Sequence, residues 1–386
     1  MFHVIPARHR SWPAVFPSLL FIWLLVFLGV LLHSPASASE TITVGTEKIQ
    51  LKPVGQGLNE PWSMAFLPDG RMLVTEKSGK LRMIENGKLL PQPIANAPAV
   101  ASRGQGGLLD VALHPRYAEN GWLYLSYAGK GKGGVGTEVM RAKLKGNQLV
   151  ENEVIFRQAP KISTDRHFGS RIVFDREGYL YITMGDRGEQ DRAQQLGQHI
   201  GKVVRLNDDG SVPQDNPFAG NTNALPEIYS YGHRNVQGAV MHPSSGKIWT
   251  HEHGPQGGDE INILKAGTNY GWPVITYGVN YFTGTKIGEG THKAGMMQPL
   301  YKWVPSIAPS GMAFYTGDAY PGWKDSLFVG SLKFQTLVRL TLAGDKVVKE
   351  ERLLDGVGRL RDVRQGPDGL LYIIAGDRLL QLQPAR

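Results

Sequence analysis

Cysteine is absent from this sequence of 386 residues, which excludes disulfides. Stability must therefore come from the burial of a core and from any bound ions. Long apolar runs are also missing after residue 40, so no segment there approaches the length of a membrane span. Helical periodicity is scarce from Thr41 onward, whereas short apolar strands alternate with turns, and this pattern indicates an all-β protein.

Acidic residues are in the minority, because 34 Asp and Glu stand against 42 Lys and Arg and give a net charge of +8. The basic residues are scattered along the chain and form no cluster. A nucleic-acid-binding surface usually needs such a cluster, so the charge pattern argues against nucleic acid as a partner.

The first 38 residues have the organisation of a secretory signal peptide. Arg8 and Arg10 precede an apolar run from Val15 to Leu32, no acidic residue occurs, and Ala36-x-Ala38 follows. This pattern predicts cleavage after Ala38 and a periplasmic or secreted protein. An uncleaved membrane anchor is the alternative, since the apolar run is long enough to span a bilayer.

Six stretches share one pattern, in which a short apolar strand, a turn of Pro, Asp or Gly and a second strand follow one another. The copies are residues 63–75, 110–126, 171–183, 238–250, 311–330 and 362–374. Repeated hairpin units of this kind predict a six-bladed β-propeller occupying residues 39–386 as one domain. A β-sandwich with six hairpins is the alternative, but it does not explain the repeat. We expect residues 41–44 to close the ring beside residues 379–382, which would remove the sheet edges.

Polar and basic residues precede the first strand of several repeats at similar distances. Counted back from the turn residues of the repeats, the positions eight to ten residues away are Gln105, His167, Arg234 and Arg359. Equal phase in a circular repeat places side chains at one end of the central channel. Asn235 and Arg361 belong to the same segments, and Lys333 joins them from Ser331-Leu332-Lys333. A cationic mouth of this kind predicts an anionic ligand held by guanidinium groups.

The stretch from His251 to Asn262 combines two histidines, three acidic residues and three glycines. Glycine lets a backbone turn and expose its carbonyls, and carbonyl and carboxylate oxygens are the ligands that Ca²⁺ prefers. The two histidines could instead indicate a transition metal. A polar loop with a helix cap and no metal is the third interpretation.

Several ordered motifs resemble the soluble quinoprotein glucose/sorbosone dehydrogenase family, most closely its periplasmic aldose sugar dehydrogenase branch. The resemblance runs from about Leu58 to the C-terminus. The motifs are His167-Phe168-Gly169, Gly232-His233-Arg234-Asn235, His253-Gly254-Pro255, Gly258-Asp259-Glu260-Ile261-Asn262, Asn269-Tyr270-Gly271-Trp272-Pro273, Ser331-Leu332-Lys333 and Arg359-Leu360-Arg361-Asp362-Val363.

The resemblance implies a six-bladed propeller that carries pyrroloquinoline quinone (PQQ) and Ca²⁺. It implies that His167 is the general base and that Arg234 acts on the reacting group. The implied cofactor contacts are Gln105, Arg234, Asn235, Tyr281, Lys333, Arg359 and Arg361. The implied calcium ligands are the carbonyls of Gly254 and Pro255 at the cofactor and, at a second site, Glu260 and the Tyr270 carbonyl, with Asp259 as a neighbour.

The expected reaction is the oxidation of an aldose at its anomeric carbon to a lactone, with electrons passed to an external acceptor. A Ca²⁺-dependent lactonase is one alternative, but it needs carboxylate and amide ligands in the channel, where the sequence places cations. A non-catalytic propeller that binds glycans or proteins is another, and it would not require His167 in phase with the arginines. The sequence is compatible with a monomer or a dimer.

Overall fold

The computed structural model describes residues 41–44 and 47–385, so the predicted signal segment lies outside the described residues. In this part of the chain the strands form six sheets whose first strands surround one axis, as in a six-bladed β-propeller. The predicted fold class is confirmed. Within the same ranges, no helix combines the length and apolar character needed to cross a membrane.

The first three blades follow two N-terminal strands, β1 (Thr41–Val44) and β2 (Glu47–Val54). Blade one contains β3 (Pro61–Phe66), β4 (Met72–Glu76), β5 (Leu81–Glu85) and β6 (Lys88–Leu89). Blade two contains β7 (Leu108–Leu113), β8 (Trp122–Gly131), β9 (Gly134–Lys145) and β10 (Gln148–Arg157), with the short helix α1 (Tyr117–Asn120) after β7. Blade three contains β11 (Ile172–Phe174), β12 (Leu180–Thr183), β13 (Lys202–Leu206) and β14 (Ile228–Tyr231), with a 3-10 helix at Gln190–Gln194.

The remaining blades continue in chain order. Blade four contains β15 (Val236–Met241), β16 (Ile248–Glu252), β17 (Asp259–Ile263) and, after β18 (Thr268–Asn269), β19 (Tyr301–Trp303). Strand β18 pairs in parallel with β14 of blade three. Blade five contains β20 (Pro309–Phe314), β21 (Leu327–Ser331), β22 (Leu337–Ala343) and β23 (Lys346–Leu353), with a 3-10 helix at Pro321–Trp323. Blade six contains β24 (Leu360–Gln365), β25 (Leu371–Ala375) and β26 (Arg378–Pro384).

The first strands of the blades line the channel, and two glycines on them make room for side chains near the axis. A Cβ at Gly238 would lie 2.2 Å from Nε2 of His251, and a Cβ at Gly311 would lie 2.3 Å from Oδ1 of Asp362. Any larger residue at either position would displace a buried polar group. The inner strands therefore carry glycine where the channel needs space for a neighbour's side chain.

An ion-pair network crosses the axis and ties three blades together. Arg171 of blade three lies 3.1 Å from Asp110 of blade two and 3.3 Å from Asp362 of blade six. Arg364 lies 3.1 Å from each of the same carboxylates. Both carboxylates are fully buried, so removing one partner would leave a buried charge without compensation. The network fixes the relative positions of the inner strands that carry the channel mouth.

The predicted ring closure was wrong about which N-terminal strand pairs with the last strand. Strand β2, and not β1, pairs with the last strand, with Leu51 opposite Leu382. Strand β1 pairs on the outside of β2, with Ile42 opposite Ile49. Strand β2 is longer than β1 and buries Ile49 completely, so pairing it against β26 gains both more hydrogen bonds and more apolar burial.

Candidate active site

The segments that precede the inner strands meet at one end of the channel and enclose a cleft with two adjoining parts. An axial cavity of about 440 Å³ is lined by residues such as Trp62, Phe168 and Arg361. An outer cavity of about 500 Å³ is lined by residues such as His167 and Arg234. Gly104 and Gln105 line both, so the two cavities adjoin at this segment, and together they are called the cleft.

His167 is held at the boundary of the cleft by two side chains. Its φ is 53°, a left-handed conformation that non-glycine residues rarely adopt, and its backbone N–H donates to Oε1 of Gln105 at 2.7 Å. Its Nδ1 lies 2.6 Å from Oδ1 of Asp186. With Asp186 ionised, Nδ1 carries the proton and Nε2 is left as the proton acceptor. The pair can therefore act as a general base whose conjugate acid is stabilised by a carboxylate.

Asp186 is almost completely buried and is bound by two further donors. Its Oδ1 also accepts the N–H of Gly188 at 2.8 Å, and its Oδ2 accepts the indole N–H of Trp272 at 2.7 Å. Burial alone raises the pKa of Asp186, but the hydrogen bond from His167 and the nearby charge of Arg234 outweigh it, so the pKa lies below its ordinary value. Asp186 is thus an anion at neutral pH.

Burial is also the largest influence on His167, and it lowers the pKa of the imidazole. The hydrogen bond to Asp186 acts in the opposite direction, while the charge of Arg234 adds to the lowering. The net pKa of His167 lies below its ordinary value, so the ring is neutral and able to accept a proton at neutral pH.

Arg234 lines the outer cavity together with the base. Its Nη1 donates to the carbonyl of His253 at 3.2 Å, and its guanidinium carbon lies 5.3 Å from the ring centroid of Trp272. Its backbone N–H donates to Oε2 of Glu252 at 2.6 Å. Its Nε is buried and has no partner among the described residues. A guanidinium nitrogen without a protein partner can bind an oxygen of a ligand or of water.

Two more arginines lie on the wall of the axial cavity. Arg359 donates to the carbonyl of Leu332 at 3.1 Å, and Arg361 donates to Oε1 of Gln237 at 3.3 Å. Burial, with the charges of Arg359 and Arg171, lowers the pKa of Arg361 to about 10. Crowded cations of this kind are stabilised when an anion enters between them.

Most of the predicted cofactor contacts come together, and one does not. Those that line the cleft are Gln105, Arg234, Asn235, Tyr281, Arg359 and Arg361. Lys333 is exposed, lines neither cavity and places its Nζ 5.2 Å from the ring centroid of Phe334. Its neighbour Leu332 lines the axial cavity instead.

The predicted calcium ligands Gly254 and Pro255 lie in the loop between β16 and β17. Pro255 lines the outer cavity, and its carbonyl accepts the hydroxyl of Tyr281 at 3.0 Å. Asp259 was expected as a neighbour of the second metal, but its oxygens are already occupied. They accept the N–H groups of Gly254, Ile307 and Ala308 at 2.8 to 2.9 Å, and the hydroxyl of Ser306. Asp259 therefore acts as a structural clamp on this loop.

Glu260 stands opposite Glu252 in the register of β16 and β17. Burial and the charge of Glu252 raise the pKa of Glu260 to about 8. Tyr270, the other residue predicted at this site, stacks its ring on His233 with centroids 4.7 Å apart. Two carboxylates that face each other on adjacent strands favour a cation beside them.

The two histidines of this stretch do not converge on a metal. His251 is completely buried beside Gly238, and Nε2 of His253 lies 2.6 Å from the carbonyl of Pro309. Within residues 41–44 and 47–385, no group of three or more His, Cys, Asp or Glu is arranged to hold a metal. The stretch is a strand–loop–strand segment, so the helix-cap interpretation also fails.

Two site residues were not singled out from the sequence. Asp186 follows the second strand of the third repeat in Gly185-Asp186-Arg187-Gly188, and Trp272 belongs to the motif at residues 269–273. Their positions suggested a role only weakly, because both lie on loops outside the repeated hairpins. Together they complete the environment of His167.

The mouth of the six-bladed propeller thus brings a carboxylate-bound histidine and several guanidinium groups together, an arrangement typical of an enzyme active site. The family model for glucose/sorbosone dehydrogenases matches residues 58–382. The chain belongs to this family, which confirms both the predicted family and the prediction of an enzyme.

Individual relatives agree with this assignment. The aldose sugar dehydrogenase YliI of Escherichia coli is 46% identical over 352 residues, which cover 89% of this chain and 93% of that protein. The crystal structure of the soluble aldose sugar dehydrogenase of Escherichia coli in its apo form has a TM-score of 0.83 at 43% identity, covering 87% of this chain and 100% of that one. The structure of the PQQ-bound aldose sugar dehydrogenase of Streptomyces coelicolor has a TM-score of 0.71 at 29% identity, covering 90% and 99%.

Proposed function

We propose that this protein oxidises aldose sugars at the anomeric carbon, with PQQ and Ca²⁺ as cofactors, and passes the electrons to an external acceptor. The product would be a lactone. The observation that carries the proposal is that the His167–Asp186 pair and Arg234, whose Nε has no partner among the described residues, line the same cavity. The PQQ-bound relative supports the choice of cofactor.

The residues of the cleft fit a planar quinone with three carboxylates. Arg234, Arg359 and Arg361 supply guanidinium groups that can bind carboxylate and quinone oxygens. Trp62, Leu109 and Phe168 give the axial cavity an apolar wall against which a flat ring system can pack. When bound, the cofactor supplies an electrophilic carbonyl carbon that accepts a hydride.

The chain's own residues then have distinct tasks. Nε2 of His167 removes the proton of the anomeric hydroxyl, so the sugar oxygen can form the lactone carbonyl. Asp186 stabilises the imidazolium that results and keeps the ring oriented through Nδ1. Arg234 provides fixed positive charge in a site sheltered from water, where such charge lowers a barrier more effectively than in bulk solvent.

Calcium would be held by oxygen donors of blade four. Carbonyls of Gly254 and Pro255 would serve the site at the cofactor, where Pro255 already lines the outer cavity. Glu260 and the carbonyl of Tyr270 would serve the second site, where Glu252 stands opposite Glu260 and adds negative charge. The position of Pro255 at the cavity supports the first site, and the Glu252–Glu260 pair supports the second.

Reconstitution tests the proposal. Purified protein mixed with PQQ and Ca²⁺ should reduce an artificial dye when aldoses are added, and each omission should abolish the reaction. A lactonase would hydrolyse lactones without PQQ, and a binding module would retain sugar without turnover. Dye reduction that is absent with PQQ, Ca²⁺ and a panel of aldoses would contradict the proposal.

We also propose that the protein is exported and begins near Ser39. The support is the signal-like order of Arg8, Arg10, the apolar run and Ala36-x-Ala38 in the sequence. Intact mass of the protein released from the cell envelope should match a chain that lacks residues 1–38. Full-length chain retained in the membrane fraction would favour an anchor instead.

A further inference from the structure

One aromatic side chain contacts both Asp186, which binds the proposed base, and Arg234. Trp272 packs against Ala193 and Ile287 and forms a wall of the outer cavity. Its indole N–H donates to Oδ2 of Asp186 at 2.7 Å, and its ring lies 5.3 Å from the guanidinium carbon of Arg234. Trp272 is thus joined to the base through a hydrogen bond and to Arg234 through its ring face.

The hydrogen bond from Trp272 affects how much charge Asp186 offers to the base. One oxygen of Asp186 binds His167 and the N–H of Gly188, and the other binds only the indole among the described residues. Each neutral donor withdraws part of the carboxylate's charge. The more of that charge goes to other donors, the less Asp186 stabilises a protonated His167.

We propose that Trp272 is a positioning residue that fixes Asp186 by its second oxygen, limits the proton affinity of His167 and holds Arg234 in place by its ring. This inference rests on the proposed function, because it assigns His167 and Arg234 their roles in sugar oxidation. It adds a residue that acts on the reaction only through His167, which takes the proton, and through Arg234, which supplies positive charge.

The charged and titratable groups that face His167 come from several segments. Asp186 contacts it directly, Arg234 approaches from the start of β15, Arg166 precedes it in the chain, and His253 follows β16. Replacing the indole of Trp272 by a benzyl group changes none of these groups. With an aromatic ring still beside Arg234, a change in the proton affinity of His167 would report chiefly the missing N–H.

Trp272→Phe in the cofactor-free protein is the first test. It keeps an aromatic ring beside Arg234 and removes the donor to Asp186, so the carboxylate should hold the imidazolium more strongly. An NMR titration should show the pKa of His167 rising by roughly half to one unit. The matched control is Trp122→Phe, since Trp122 stacks with Arg141 on the surface of blade two and should leave His167 unchanged. A folded Trp272→Phe protein with an unshifted His167 would overturn the proposal.

Activity gives a second readout. In reconstituted Trp272→Phe enzyme the acid limb of kcat/KM should move to higher pH by the same amount. The value of kcat/KM should therefore fall more at pH values on the limb than at pH values well above it. A merely structural role would lower the rate by one factor at every pH. If the wild-type protein shows no sugar oxidation at all, the proposed function fails, whereas the NMR result on His167 still decides the role of Trp272.

The wild-type protein keeps the test decisive if Trp272→Phe folds poorly. The wild-type indole N–H resonance of Trp272 should titrate with the same midpoint as His167, and this needs no substitution. In an Asp186→Asn background the carboxylate is gone, so adding Trp272→Phe should no longer shift His167. An indole N–H resonance that does not change as His167 titrates would contradict the proposal. So would a Trp272→Phe shift in the pKa of His167 that persists in the Asp186→Asn protein.

Discussion

Glu252 and Glu260 lie directly opposite each other on β16 and β17, and Asn262 is placed between them. The amide nitrogen of Asn262 lies 3.4 Å from Oε1 of Glu252 and 3.3 Å from Oε2 of Glu260. The other oxygen of Glu252 accepts the backbone N–H of Arg234 at 2.6 Å. The carboxylate that faces the proposed calcium ligand therefore also holds the backbone of a cleft arginine.

Removal of calcium should lower both stability and activity. A cation that binds only the folded protein at 100 times its dissociation constant adds about 2.7 kcal/mol to the free energy of unfolding. Melting curves recorded with Ca²⁺ and with a chelator measure this, with Mg²⁺ as the control cation. An unchanged melting temperature and unchanged holoenzyme activity in the chelator would remove calcium from the mechanism.

The pH profile should reflect the buried environment of His167. A general base must be unprotonated, and burial lowers the pKa of His167 below the ordinary value of 6.5. The neutral ring therefore persists to lower pH than it would in a solvated histidine. We expect the acid limb of kcat/KM to have an apparent pKa below 6.5. A limb at or above that value would argue against His167 as the titrating group.

His167→Ala should retain cofactor but lose turnover. The substitution removes the proton acceptor and leaves Arg234, Arg359 and Arg361 in place, so binding of PQQ should persist. General base catalysis contributes about 10² to 10⁴-fold, so kcat should fall by a factor within or above this range. Titration of PQQ into the variant, followed by dye reduction with an aldose, separates the two effects. Near-normal turnover would require another base.

Replacement of Arg234 and of Arg361 should give different kinetic patterns. Arg234→Ala removes charge at the reacting end of the cleft, so kcat should fall even at saturating PQQ. Arg361→Ala weakens anchoring in the axial cavity, and excess PQQ should restore most of its rate. The control is Arg116→Ala, because Arg116 is exposed and pairs only at 3.9 Å with Glu119. If excess PQQ rescued both variants equally, Arg234 would have no separate role in turnover.

Asp259→Ala should destabilise the protein. Asp259 is fully buried and accepts four hydrogen bonds, three from backbone N–H groups that would lose their partner. The loss of hydrogen bonds to a buried carboxylate should lower the free energy of unfolding by about 3 kcal/mol. Chemical denaturation measures this, and Asp69→Ala at an exposed site is the control. Equal midpoints for the two variants would show that the clamp is unimportant.

The sequence predicted those site residues that stand at fixed distances before an inner strand. Gln105, His167, Arg234 and Arg359 all do, and the blade geometry brings them to one cleft. Lys333 instead follows β21, an interior strand of its blade, so the repeat did not constrain its side chain, which lies on Phe334. Phase within a circular repeat predicts convergence only for positions that precede the axis-lining strands.

Asp186 and Trp272 could not be predicted in the same way. Each lies on a loop that leaves its blade, and their contact joins the loop after β12 to the loop after β18. The path of such loops depends on long-range packing that a repeat does not encode. The ring closure was misassigned for a related reason, since the longer strand β2, which buries Ile49, takes the place beside β26.

Blade six unites strands from the two ends of the chain, because β2 pairs with β26 and the N–H of Ala385 donates to the carbonyl of Lys48 at 2.7 Å. During synthesis the other five blades can form while β2 waits without its neighbour, and an open sheet edge is prone to pair with other chains. Contacts between distant parts of a chain also form slowly. Pairing of β2 with β26 therefore requires the whole chain, and until it occurs the open edge of the unfinished ring favours self-association.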